Sequence, residues 1–77
     1  EKILNKTIYL RTVESEIEGS LEKVQNKYKD VEIGSYPFFK QGKAGVSIVV
    51  RSTVKSLISD CCKDIKDFVK KKKIKIT

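Results

Sequence analysis

The chain has no histidine, no methionine and no tryptophan, one proline, and only two cysteines. Each absence excludes something. Without histidine there is no side chain that ordinarily titrates near neutral pH and no imidazole to hold a metal. Cys61 and Cys62 are adjacent, and neighbouring Cα atoms lie about 3.8 Å apart, below the normal span of a disulfide. No further cysteine exists to complete a zinc site. The two therefore read as reduced thiols on a helix, with at least Cys61 in the core, which fits a cytoplasmic setting. No apolar run approaches the roughly 18–20 residues of a membrane span, and no signal-peptide pattern is present. No membrane partner is expected.

What is there fits one small domain. Residues 1–77 read as a single α+β unit, a piece of a longer protein, with a Lys-rich segment over residues 70–77. A chain of 77 residues buries roughly 60–65% of its unfolded surface, so its stability is modest. The net charge is +7, but it is unevenly placed. Residues 1–36 carry six basic and seven acidic groups, and residues 37–77 carry eleven and three. Lys70, Lys71, Lys72, Lys73 and Lys75 supply most of the excess. Such a cluster can meet an anionic surface. It can equally be a solvated helix end, where cations complement the macrodipole.

Periodicity gives the elements. Residues 7–11 alternate, with Ile8 and Leu10 on one face and Tyr9 on the other. Val13, Ile17, Leu21, Val24 and Tyr28 then form one helical stripe. Thr12 is placed to cap that helix, with Glu14 and Glu16 in its first turn. Residues 31–36 read as a second strand and residues 37–43 as a loop. Residues 44–51 form a third strand, with Val46, Ile48 and Val50 inward, making a long-looped hairpin. Ser52 or Thr53 is the expected cap of a second helix. Its apolar positions are Val54, Leu57, Ile58, Cys61, Cys62, Ile65, Phe68 and Val69. Residues 73–77 alternate and read as a short edge strand guarded by lysines. The order β-α-β-β-α, with that final β, is the split βαβ, ferredoxin-like pattern. It predicts an antiparallel sheet covered on one face by two helices. Tyr9, Tyr36, Val49 and Arg51 point away from the helices, a more apolar outer face than solvation needs.

The segment Gly34-Ser35-Tyr36-Pro37-Phe38-Phe39 stands out. Gly34 permits backbone geometry closed to other residues, and Pro37 fixes a dihedral and lacks a donor. The segment reads as a specified exit from a strand that aims two aromatics at a neighbour.

Catalytic chemistry has little support. Glu14, Glu16, Glu18 and Glu22 lie mostly on the solvated side of the first helix, and Asp60, Asp64 and Asp67 interleave with lysines. Gly42-Lys43-Ala44-Gly45 matches G-x-x-G literally, but in a KH clamp that loop joins two helices. Here it opens a strand. There is no Walker A and no G-x-G-x-x-G. The third strand has no aromatic, so the base-stacking platform of an RRM is not expected there. A small basic nucleic-acid module, KH-like or ferredoxin-like, stays open. It would use Lys40 and Lys43 with Lys70, Lys71, Lys72, Lys73 and Lys75. Its mark would be salt-dependent oligonucleotide binding.

Three pieces carry a resemblance: Arg11-Thr12-Val13-Glu14-Ser15-Glu16-Ile17 with its helix, Val31-Glu32-Ile33-Gly34-Ser35-Tyr36-Pro37, and Gly45-Val46-Ser47-Ile48-Val49-Val50-Arg51. Together, over roughly residues 7–69, they resemble the molybdopterin-binding-like domain of eukaryotic FAD synthases and the related CinA proteins. Its Gly-Ser-Tyr-Pro block is the most specific element. The resemblance implies a small noncatalytic subdomain following a larger α/β molybdopterin-binding-like unit. The subdomain would pack on that unit, or on its own copy in a homodimer. It implies a parent that handles FAD and ATP with a divalent metal, as an adenylyltransferase or nucleotide pyrophosphatase. No catalytic or metal residue has a matching position here, and no cofactor is expected on these residues themselves. Gly34, Ser35, Tyr36, Pro37, Phe38 and Phe39 are the expected contact surface.

Overall fold

The computed structural model describes residues 2–76. Its elements are β1 (Leu4–Arg11), α1 (Glu14–Lys27), β2 (Glu32–Lys40), β3 (Lys43–Ser52), α2 (Lys55–Lys71) and β4 (Lys75–Ile76). The strands form one antiparallel sheet in the order β2-β3-β1-β4. This is the ferredoxin-like α+β arrangement that the period changes predict. Thr77, the last residue of the expected final strand, lies outside the described residues.

The core lies between the sheet and both helices. Ile8, Leu10, Val46, Ile48 and Val50 come from the sheet, Ile17, Leu21 and Val24 from α1, and Ile58, Cys61, Cys62, Ile65 and Val69 from α2. Alternation in the strands and the 3–4 spacing in the helices place these side chains on facing surfaces. Burial of this apolar set drives the fold.

The helix caps differ from expectation. Val13 and Val54 are the N-cap residues, and neither helix has a side-chain cap. Both valines are half-exposed and leave the apolar stripes. Ser52 is instead the last residue of β3. Its hydroxyl donates to the Asp30 carbonyl at 3.2 Å and accepts from the Val54 amide at 3.1 Å. It thus joins the end of α1's exit turn to the start of α2.

At its other end α2 closes in a Schellman pattern. The Lys73 amide donates to the Lys70 carbonyl and the Ile74 amide to the Val69 carbonyl. Lys73 sits at the left-handed position, φ 59°, which glycine fills without steric cost. Lys73→Gly is therefore expected to raise stability by up to about 1 kcal/mol, read as a higher urea midpoint at unchanged slope.

The β2–β3 connection is shorter than expected. β2 runs through Pro37 to Lys40, and Lys40 pairs with Lys43. The turn is only Gln41 and Gly42, both with positive φ (53° and 76°), the pattern a type I′ hairpin requires. Proline is tolerated within β2 for a positional reason. The Ile33 amide donates to Gln25 Oε1 at 3.0 Å rather than to β3. The β2–β3 register runs without a bulge, so residues 33, 35 and 37 all turn their backbone nitrogens away from β3. Pro37 thus removes no ladder bond, as befits an edge strand.

Candidate functional site

The pleat divides the expected contact segment between two faces. Ile33, Ser35 and Pro37 pair with Val50, Ile48 and Val46, and so lie on the helix side. Gly34, Tyr36 and Phe38 pair with Val49, Ser47 and Gly45, on the open side. Phe39 follows Pro37 to the helix side and is 75% exposed. The segment is a strand with two differently directed faces, not a loop that aims Phe38 and Phe39 together.

Gly34 has a correspondingly different role. Its φ is not positive, so no special backbone geometry is required. A Cβ there would lie 2.9 Å from the Tyr36 hydroxyl oxygen. The glycine makes room for the Tyr36 ring along the strand.

Gly45 is the second close approach, and its role is not readable from the G-x-x-G match. It lies within β3, buried, with the Phe38 ring over it. A Cβ at this position would also come 3.0 Å from the Leu10 carbonyl oxygen. The tetrapeptide is therefore one turn residue followed by three strand residues, and no KH-type loop is formed.

Three rings now share the open face: Tyr9 from β1 and Tyr36 and Phe38 from β2. Tyr9 and Tyr36 flank Ser47 in one cross-strand row. Tyr9 and Phe38 meet edge to face, centroids 6.2 Å apart and planes at 76°, a preferred aromatic geometry. The aromatics missing from β3 are thus supplied by its neighbours. Phe38 escapes a sequence reading that ends β2 at Tyr36, because alternation is then not carried past the proline.

The basic residues also divide. Lys40, Lys43, Arg11 and Lys75 continue the open-face parity of Phe38, Gly45 and Tyr9 and stand at one end of that face. Lys70 and Lys71 lie in the last turn of α2, Lys72 is its C-cap and Lys73 is in the turn. The C-terminal lysines are thus not one patch. A groove of about 650 Å³ at the cationic end is lined by Tyr9, Arg11, Phe38, Lys40, Lys43 and Gly45, among others. Among the described residues no carboxylate lines it.

On the helix side, Asp64 joins the two helices. It accepts from Lys27 Nζ at 2.9 Å and from the Tyr28 hydroxyl at 2.7 Å. These bonds hold its carboxyl below the usual 3.8 and raise both Lys27 and Tyr28. The folded state thus holds the Asp64 proton less tightly than the unfolded chain. The contribution is present above about pH 3.8 and is lost as pH falls through the lower, folded value. Asp64→Asn should lower the urea midpoint at neutral pH. That difference should shrink toward zero in strong acid.

Burial pushes the Cys61 thiol up to about 11 and raises Cys62 as well, the latter opposed by Lys6 and Lys66. Both are free, buried and protonated at neutral pH. Among the described residues, no three His, Cys, Asp or Glu side chains converge in a way that could hold a metal ion. No helix there is long and apolar enough to cross a membrane.

The family model described as "FAD synthase, middle domain" matches residues 2–77. The chain belongs to that family. As a middle domain, it has other domains beside it in the same protein. No curated protein and no solved structure matches the chain.

Proposed function

We propose that this FAD synthase middle domain is a noncatalytic supporting unit. It packs its open sheet face on a larger α/β domain of the molybdopterin-binding, CinA-related kind, or on a copy of itself. The flavin and ATP chemistry, with its divalent metal, then belongs to the parent's other domains, as adenylyl transfer or pyrophosphate hydrolysis. One observation carries the reading. The open face presents Tyr9, Tyr36 and Phe38 together, with Tyr9 49% and Tyr36 57% exposed. Clustered aromatics of this kind anchor protein contacts. Two buried reduced thiols agree with a cytoplasmic parent.

A titration tests the reading. Isotope-labelled chain is mixed with the neighbouring upstream domain of its own parent protein. Amide shift changes at residues 36–40 and along the open face are expected. Their absence at saturating partner sinks the proposal.

A further inference from the structure

We infer that the cationic end of the open face binds a nucleotide unit, a planar heteroaromatic ring carrying phosphate. The inference rests on the groove itself and not on the domain-packing reading; the two share Tyr9 and Phe38, so a nucleotide and a packed domain would compete for those rings. Three observations meet there.

The first is charge. Arg11, Lys40 and Lys43 line the groove, and Lys75 stands beside Arg11 in the β1–β4 register. All four are exposed. Among the described residues the one ion pair is Lys27–Asp64, on the helix side. The open face's strand carboxylate, Glu32, pairs in register with Arg51 at the opposite end of the sheet. Like charges gathered with no counter-charge among the described residues repel one another and attract an anion. Arginine in particular suits bidentate contact with phosphate.

The second is ring geometry. Tyr9 and Phe38 meet at 76°, so they make a corner and not a flat floor. A planar ring stacked on one meets the edge of the other. That corner seats one base-sized ring. Stacking of this kind is tolerant of base identity, because every base presents a π-face.

The third is the floor. Gly45 has no side chain, so the Phe38 ring lies down against the sheet over it and itself forms the floor. The groove of about 650 Å³ is in the size range of small-ligand sites, roughly 300–1,000 Å³. Aromatic rings at one side and cations at the rim match a ring with phosphate attached. The open sheet face of a ferredoxin-like fold is also where RRM domains stack bases.

The same chemistry comes from a free nucleotide or from single-stranded nucleic acid, and the experiment separates them. Isotope-labelled chain is titrated with ATP, with an oligothymidylate and with inorganic pyrophosphate, at low and at physiological ionic strength. Saturable amide shifts at Tyr9, Arg11, Phe38, Lys43 and Gly45 are expected with at least one of the first two. Pyrophosphate should bind more weakly. Response to ATP identifies a free-nucleotide site, and response to the oligonucleotide alone identifies a strand site. Arg11→Gln with Lys43→Gln, and separately Tyr9→Leu, should each weaken binding by about tenfold. A circular dichroism spectrum and melt of each variant confirm that it is folded. The inference is overturned if neither probe binds at millimolar concentration. It is also overturned if pyrophosphate binds as well as ATP and the oligonucleotide, or if the shifts fall on Lys70, Lys71, Lys72 and Lys73. Because the probes contain no protein, failure here leaves the packing titration unaffected, and the reverse also holds.

Discussion

Truncating Ile48 to alanine is expected to lower the unfolding free energy by about 2–5 kcal/mol. Ile48 is fully buried at the middle of β3. Its register partners are Ile8 on one side and Ser35 on the other. The cavity would open on the helix side, where both helices pack against the sheet. Helices and strands spaced by their own pleat and pitch cannot move together to close it, so the loss includes a cavity cost as well as transfer. A domain of this size has a total stability of about 4–12 kcal/mol. The variant would sit close to half-unfolded at moderate urea. The check is a urea titration with a lowered midpoint and unchanged slope. Val49→Ala, one residue along and on the open face, is the control. Equal losses at 48 and 49 would contradict the assignment of faces.

Gly45→Val is expected to destabilise the domain by about 1–3 kcal/mol through overpacking and to empty the aromatic corner. A Cβ at residue 45 meets the Phe38 ring on one side and the Leu10 carbonyl oxygen at 3.0 Å on the other. The Leu10 carbonyl belongs to a paired strand and cannot yield, so the ring must. Through-space contacts between Tyr9 and Phe38 protons should then disappear from the spectrum. Nucleotide-induced shifts should weaken by about tenfold in step, since a stacking partner is lost. Gly34→Ala is the matched control. The atom it would meet at 2.9 Å is the Tyr36 hydroxyl, the far end of an exposed side chain that can swing into solvent. Persistence of the Tyr9–Phe38 contacts in Gly45→Val would show that the glycine does not set the ring's position.

Much of the fold was legible because hydrophobic period encodes it directly. Ile8 and Leu10, then Val46, Ile48 and Val50, alternate without fault. Ile58, Cys61, Cys62, Ile65 and Val69 keep the helical spacing, and all are buried. What escaped depends on relations between strands. Whether a proline ends a strand or sits inside it turns on which way that residue's nitrogen points. That direction follows from pairing parity, which residues 31–40 do not contain by themselves. A strand ended at Tyr36 leaves Phe38 without a face and makes the loop too long. The turn signal was half present: Gly42 is the usual choice, whereas Gln41 takes a positive φ of 53° that few glutamines adopt. The caps were illegible for a simpler reason. Val13 and Val54 offer no oxygen, so no cap could be read from them, while nearby Thr12, Ser52 and Thr53 could suggest one. The open-face groove combines residues 9, 11, 38, 40, 43 and 45, a set that only the register assembles.

The placement of Pro37 bears on what the free margin of the sheet offers to another strand. β2 is the free margin of the sheet, and Tyr-Pro-Phe-Phe is the kind of apolar, uncharged stretch that invites another strand to add alongside. An incoming strand would seek outward donors at alternate residues from 33 onward. The one at Ile33 is already bonded to Gln25, and the one at residue 37 does not exist. The margin therefore offers an interrupted template. A substitution such as Pro37→Thr would restore the missing donor while keeping the strand, and the first sign of it would be concentration-dependent growth in hydrodynamic radius, not a change in fold.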